Sequence, residues 1–259
     1  MEIGENRNTW DVTHDWAERG EEWSVAWGGS EAQWFSCIYP RIHRLLPAAT
    51  VLEIAPGFGR WTNYLLRYCR HLIGVDLSTV CVQACRQRFA RQHAEFHAND
   101  GTSLEMVPNS GIDFAFSFDS LVHAEAPVLE SYIHQLATKL AEHGVGLIHH
   151  SNLGAYSPHI DNPGKRAHSM TAALFLEFTK RVGLACFSQE LVNWSQPELV
   201  DCFSMITHKG SRFDRPYQRH ENPNFMAEAD LIKGYSRLYN RPIPHGSSEA
   251  QVVKVSGAA

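Results

Sequence analysis

Three things are scarce in this sequence of 259 residues. No two of its six cysteines stand at CxxC spacing, no long stretch gathers lysine and arginine, and no apolar run approaches the roughly 20 residues of a membrane span. The cysteines, Cys37, Cys69, Cys81, Cys85, Cys186 and Cys202, are dispersed through apolar or amphipathic contexts. That is the pattern of buried free thiols in a reducing cytoplasm, so neither a disulfide framework nor a thiolate metal site is expected. Acidic residues outnumber basic ones, 28 to 23, for a formal net charge of -5. Mild acidity argues against a surface built to hold a nucleic-acid backbone. The opening MEIGENRNTW lacks the basic and apolar regions of a signal peptide. The expectation is a cytoplasmic protein with no membrane span and no nucleic-acid partner.

What is present is ordinary globular composition, 44% hydrophobic and 20% charged, arranged in three parts. Residues 1–48 form an N-terminal arm and helical cap carrying Trp10, Trp16, Trp23 and Trp27. Most of these rings are expected to pin the arm to the core, with Trp27, at the head of the WGGSE run, a candidate substrate contact. A helix is expected over 31–45, with Pro40 a weak point in its middle. From 49 to 209, apolar runs at 50–55, 72–76, 94–98, 112–118 and 144–150 alternate with helical patterns at 60–69, 79–92 and 126–142. Strand, helix, strand at this spacing predicts an α/β fold with a parallel sheet covered on both faces. A polar insertion at 151–168 is followed by a helical pattern from Ser169 and strand-like runs at 184–193 and 200–207. Residues 210–259 form an extension with one helical pattern at 225–238, placed either over the substrate side or against a second subunit of a homodimer.

Chemistry enters at VLEIAPGFGRW, residues 51–61. A strand ends at Glu53 and passes through Gly57 and Gly59 into a helix. Glycines permit the sharp turn and let a ligand approach the backbone, whose exposed amides receive ligand oxygens. A second apolar strand, HLIGVDLS, ends at Asp76, 23 residues after Glu53. An acid there can accept both hydroxyls of a ribose bound over the first turn, or can serve as a helix cap. A nicotinamide cofactor is the rival, but APGFGR lacks the third small residue of a dinucleotide fingerprint, and its acid precedes the glycines.

VLEIAPGFGRW, GVDLS, HANDG and DFAFSFDSLVH, in this order, resemble the successive motifs of class I S-adenosylmethionine-dependent methyltransferases. The resemblance covers about residues 50 to 208 and implies a Rossmann-like, mostly parallel sheet of seven strands. It implies that Glu53 organises the methionine end of S-adenosylmethionine and that the backbone from Ala55 through Gly57 to Gly59 lies along the cofactor. Asp76 would bind the ribose, Leu77 would contact the cofactor beside it, Asp100 would face the adenine amino group, Gly101 would give the ring room, and Phe118 would border the cofactor after strand 4. Ala55 stands where the family usually has its first glycine. WGGSE, SFDSLVHAE and LIHHSN further resemble bacterial methyltransferases of sugars, glycolipids and polysaccharide ends.

The acceptor site is expected at the open end of the sheet. There His123 leads as general base, followed by His150 and His149, with Asp119 to orient a histidine or hold a sugar hydroxyl. Adjacent histidines on a strand face opposite ways, so one of His149 and His150 enters the pocket. A divalent metal is not favoured, because Asp119 with either histidine gives no diagnostic ligand spacing. The insertion offers Tyr156, His159, Asp161, Arg166 and His168; Tyr156, Arg166 and His168 are the candidate substrate contacts, and Arg60 is a candidate for the cofactor carboxylate. The reading is an O-methyltransferase of a sugar or carbohydrate-containing metabolite. The alternatives are a natural-product O-methyltransferase, with an apolar slot for a polar cleft, and a non-catalytic cofactor-binding scaffold.

Overall fold

The computed structural model describes residues 1–156, 160–162 and 164–239, apart from the side chains of 237–239. His159 lies outside the described residues. The apolar runs become β1 (Ala48–Ile54), β2 (Cys69–Asp76), β3 (Ala94–Ala98), β4 (Ile112–Ser117), β5 (Leu140–Ser151), β6 (Leu184–Val192) and β7 (Asp201–His208). They form one sheet in the order β3-β2-β1-β4-β5-β7-β6, extended by β8 (Gln218–Asn222) at its edge. β1 to β5 pair in parallel; β7 alone runs against its neighbours, and β8 lies parallel to β6. The architecture is the α/β, Rossmann-like one expected, with an eighth strand supplied by the C-terminal extension.

The sheet is buried on both faces because its central strands are apolar at successive positions. Val51, Phe114, Phe116 and Leu147 face one side, where they join Trp27, Trp34, Leu65 and Phe225. Leu52, Ala115 and Ile148 face the other, against Leu129, Ile133, Leu136 and Phe175. Helices α1 (Ile3–Asn8), α2 (Ser30–Gln33), α3 (Tyr39–Ile42), α4 (Thr62–Leu65), α5 (Thr79–Arg88), α6 (Ala126–Lys139), α7 (Ala172–Arg181) and α8 (Phe225–Tyr239) flank or precede it. The expected helix at 31–45 is interrupted. A wide turn over Trp34–Ile38 separates α2 from α3, immediately before Pro40 in the first turn of α3. Proline has no N–H to give the preceding turn, and the widened turn accommodates that loss.

Because β1 leads to β2 on one side while its neighbour β4 leads to β5 on the other, the chain leaves the carboxyl ends of β1 and β4 in opposite directions. The crevice opened there is where ligands bind in sheets of this kind. Packing of the extension is substantial. Phe225 at the start of α8 is fully buried and meets Trp27 edge-on at 5.0 Å and Trp194 at 5.4 Å. Phe225→Ala should therefore cost about 3–5 kcal/mol in urea denaturation, as for other buried aromatics; a loss below about 1 kcal/mol would show that the extension only lies on the surface.

Candidate active site

A cavity of about 560 Å³ opens over the carboxyl ends of β1, β2 and β4, and Asp76, Gly57, Gly101 and Phe118 form part of its floor. Asp76 joins two of these strand ends. Its Oδ2 accepts the Gly57 amide at 2.9 Å, and its Oδ1 accepts the Ser78 amide at 2.8 Å. Burial pushes its carboxyl up to about 6, against the pull of those amides. Each oxygen retains a lone pair on a carboxylate that lines the cavity.

The glycine turn follows a left-handed path at three positions, and its parts have unequal roles. Ala55 takes φ +59°, so an alanine follows the left-handed path natural to glycine, at a cost of about 1–2 kcal/mol. Its carbonyl accepts Ser120 Oγ at 2.9 Å, which fixes the β1 turn to the segment after β4. Gly57 has φ +59°, and a Cβ there would lie 3.2 Å from the Trp16 ring. Gly59 serves packing, since its Cβ would collide with the ring of Phe89. Behind the turn, Glu53 is 1% exposed. Its Oε2 accepts Thr62 Oγ1 at 2.5 Å, while Oε1 is buried without a partner. Burial pushes this carboxyl up to about 8, the Thr62 hydrogen bond opposing it.

At the far end of the cavity, Leu77 and Gly101 lie together, 3.2 Å separating the Leu77 side chain from where a Gly101 Cβ would be. Asp100 is not in that wall. It is exposed, and its Oδ1 accepts the amides of Thr102 and Ser103, each at 2.8 Å. The Thr102 amide foremost holds its carboxyl below the usual range. The short turn after β3 uses the side chain for its own closure, a common role for aspartate.

Of the expected histidine bases, only His123 lines the cavity and keeps a ring nitrogen without a hydrogen bond among the described residues. It follows β4 in the turn Leu121–His123. Its Nδ1 donates to the Lys165 carbonyl at 3.0 Å, which leaves Nε2 as the acceptor. Burial, and then the Arg166 charge, push it down to about 4, so the ring is neutral near pH 7. His149 is consumed structurally: its Nδ1 accepts the Asp119 amide at 3.0 Å and its Nε2 donates to Asp201 at 3.1 Å. His150 points to the other face. Its Nδ1 donates to Ser151 O at 2.8 Å, its Nε2 accepts Ser204 Oγ at 2.8 Å, and it stacks on Phe175 at 4.3 Å. Burial pushes it to about 4. Neither ring lines the cavity, and the Asp119 amide, Asp201, the Ser151 carbonyl and the Ser204 hydroxyl have already taken their nitrogens.

Asp119, at φ +60°, does line it. Arg60 donates to Asp119 Oδ2 at 3.0 Å, while Arg166 stands 4.0 Å from Oδ1 and grips Asp201 through two nitrogens at 3.1 and 2.8 Å. Burial alone would raise the Asp201 carboxyl; Arg166 and His149 outweigh it and hold it well below the carboxylate range. Two arginines and two carboxylates balance here, so the cluster carries no net attraction for an anion. Arg166 reaches the cavity as expected, but three other candidates do not. Trp27 is 1% exposed in the core, where a large ring gains most from burial. Tyr156 accepts the Leu199 amide through its hydroxyl at 3.0 Å, and His168 is exposed beside Asn162. Trp10, Trp16 and Trp23, expected mainly to pin the arm, line the cavity instead, together with Trp61, Trp194, Tyr132 and His14, which motif reading passed over. Among the described residues, no three His, Cys, Asp or Glu side chains gather as metal ligands, and no helix is long and apolar enough to cross a membrane.

Comparison with known proteins bears on the fold. The described fold is shared with a Pyrococcus horikoshii protein, at TM-score 0.55 and 16% identity over 78% of this chain and 95% of that one. An S-adenosylmethionine-dependent methyltransferase of Clostridium acetobutylicum aligns at TM-score 0.55 and 14% identity over 76% and 96%. One of Mesorhizobium loti aligns at 0.51 and 17% over 65% and 96%. These likenesses identify the class I S-adenosylmethionine-dependent methyltransferase fold. Residues 51–144 match the family model described as a methyltransferase domain. No curated protein matches it in sequence.

Glu53 gives the site a signature in ligand-free stability. Between its ordinary 4.5 and about 8, the native carboxyl keeps a proton that the unfolded chain has lost; stability therefore falls as pH rises through that window. Asp76 adds to the fall from 3.8 to about 6. Up to about pH 6.5 the neutral His123 and His150, each held at about 4 against an ordinary 6.5, add stability as pH rises and offset that fall. Melting temperature should therefore decline from about pH 6.5 to pH 8, and Glu53→Gln should flatten that decline. Identical slopes in wild type and variant would contradict the assignment.

Proposed function

We propose that the protein transfers a methyl group from S-adenosylmethionine to a hydroxyl of a sugar or small carbohydrate-containing metabolite, with His123 as general base. The observation that carries the reading is Asp76: a buried carboxylate that both fixes the Gly57 amide and faces the cavity. In this reading Asp76 accepts the ribose hydroxyls, Leu77 and Gly101 flank the adenine, and the backbone from Ala55 to Gly59 runs beside the methionine portion. The unpartnered Glu53 Oε1 is a spare buried acceptor behind that portion. The cofactor supplies an electrophilic methyl carbon on a sulfonium. The chain's part is to hold an acceptor oxygen in line behind that carbon, exclude water and take the proton.

His123 suits the last task despite its low basicity. An oxygen acquiring a methyl group becomes strongly acidic, so a neutral imidazole suffices when proton removal is late. With Nδ1 tied to the Lys165 carbonyl, Nε2 is the atom that receives it. Acceptor binding falls to the remaining walls. Indole faces at Trp10, Trp23 and Trp194 can cover the C–H face of a sugar ring, while Asp119 and Arg166 take its hydroxyls. The same abundance of indoles favours a second reading, in which the acceptor is a small aromatic alcohol. A volume of about 560 Å³ suits the cofactor with a compact acceptor.

Two variants divide the labour. Asp76→Ala should weaken S-adenosylhomocysteine binding at least tenfold by calorimetry while the melting curve stays cooperative; undiminished affinity would remove the ribose role. His123→Ala should bind the nucleoside within about twofold of wild type yet lose about 10²–10⁴ in kcat, read with methyl-labelled donor on a panel of methyl glycosides and phenols. In wild type, activity should drop on acidification near pH 4, following His123, and a variant with full turnover would exclude that histidine.

A further inference from the structure

The N-terminal arm is attached to the molecule in an unusual place. Neither α1 nor the wide turn Thr9–Thr13 that follows it contributes a buried residue, so the arm adds little to the core. Yet it forms the wall of the cavity opposite the strand ends. Ile3 lies 3.0 Å from where a Gly101 Cβ would be, beside Leu77. Trp16 lies 3.2 Å from where a Gly57 Cβ would be and stacks on Phe58 at 4.3 Å with the rings 4° from parallel. The two contacts sit at the two ends of the Asp76 floor.

The arm is also braced as one piece. The Trp16 indole donates to Trp10 O at 3.0 Å, and the Trp10 indole donates to Asn6 Oδ1 at 3.3 Å. Asp11 accepts Ser78 Oγ at 2.5 Å, anchoring the arm two residues beyond Asp76. Ile3 and Trp16 consequently hold their positions relative to each other.

We propose that the arm is part of the cofactor-binding site: Ile3 closes over the adenine side and Trp16 over the methionine side, and the arm opens to exchange the nucleoside. This rests on the cofactor assignment above. A nucleoside on the Asp76 floor then lies in the cavity between the Ile3–Gly101 contact at one end and the Trp16–Gly57 contact at the other, with the arm as the facing wall that excludes water. Because no core residue belongs to α1 or the turn after it, opening leaves the sheet and its two cores intact. Each turnover must release the demethylated product, so each includes one opening. Ligand and arm then stabilise one another by mass action.

The test uses the full chain and S-adenosylhomocysteine. Saturating nucleoside should slow tryptic cleavage after the exposed arm residues Arg7 and Arg19 while leaving cleavage after the exposed Arg212 unchanged. Trp16→Ala should raise the dissociation constant about tenfold, mainly through faster release in stopped-flow fluorescence, and Trp16→Phe should recover most of the loss. Unaltered arm cleavage in saturated wild type would overturn the proposal, and so would a Trp16→Ala affinity within twofold of wild type. Wild type that fails to bind the nucleoside at all would instead strike the cofactor assignment, and this inference with it.

Discussion

The hydrogen bond from the Gly57 amide to Asp76 is the joint on which the site depends. It ties the end of β2 to the turn after β1, two segments that are adjacent in the sheet but 19 residues apart in the chain. Without it the glycine turn has left-handed residues at 55, 57 and 59 and few side chains to hold them. The joint also accounts for charge in the site. Asp76 and Glu53 are buried acids whose neighbours compensate only part of their desolvation, so both are raised rather than depressed. That is an arrangement a stable core has no need of, and one that donors on a bound molecule would relieve.

A second joint supports the acceptor side. Arg60 reaches Asp119 from the helix side of the glycine turn, while Arg166 reaches from the insertion after β5 to Asp201 at the start of β7. His149 lies beneath, receiving the Asp119 amide and holding Asp201. The turn after β4 is thereby fixed at three points, with the Ser120 hydroxyl on Ala55 as the third. His123 projects from this fixed turn. Its usefulness comes from what the neighbouring histidines surrender: their nitrogens are spent in the sheet, and its Nε2 is not.

Much of this was legible in the sequence because the motifs are local. Strand, glycine turn and acid fall within single short stretches, so Glu53, Gly57 and Asp76 could be placed without knowing the sheet. Period two also implied that His149 and His150 face apart, but that neither ring is left free for the pocket depends on β7. Pairing Ser151 with Asp201 brings in the acid that occupies His149, across 52 residues of chain. An acid opening the apolar run DCFSMI was the available hint. β8 escaped notice because QRHEN at an exposed edge has no apolar alternation to detect. The arm was misjudged for a related reason. Trp27 was the candidate substrate contact and the other rings the expected anchors, and only the fold puts Trp27 in the core and Trp10, Trp16 and Trp23 on the cavity wall.

The central claim is positional, and a crystal structure of the complex with S-adenosylhomocysteine tests it most directly. The account predicts both ribose hydroxyls within about 2.6–3.2 Å of the Asp76 carboxylate, the purine beside Leu77 and Gly101, and the sulfur turned toward the His123 side of the cavity. A nucleoside bound elsewhere on the molecule, or one lying over the strand ends with its ribose turned away from Asp76, would contradict it.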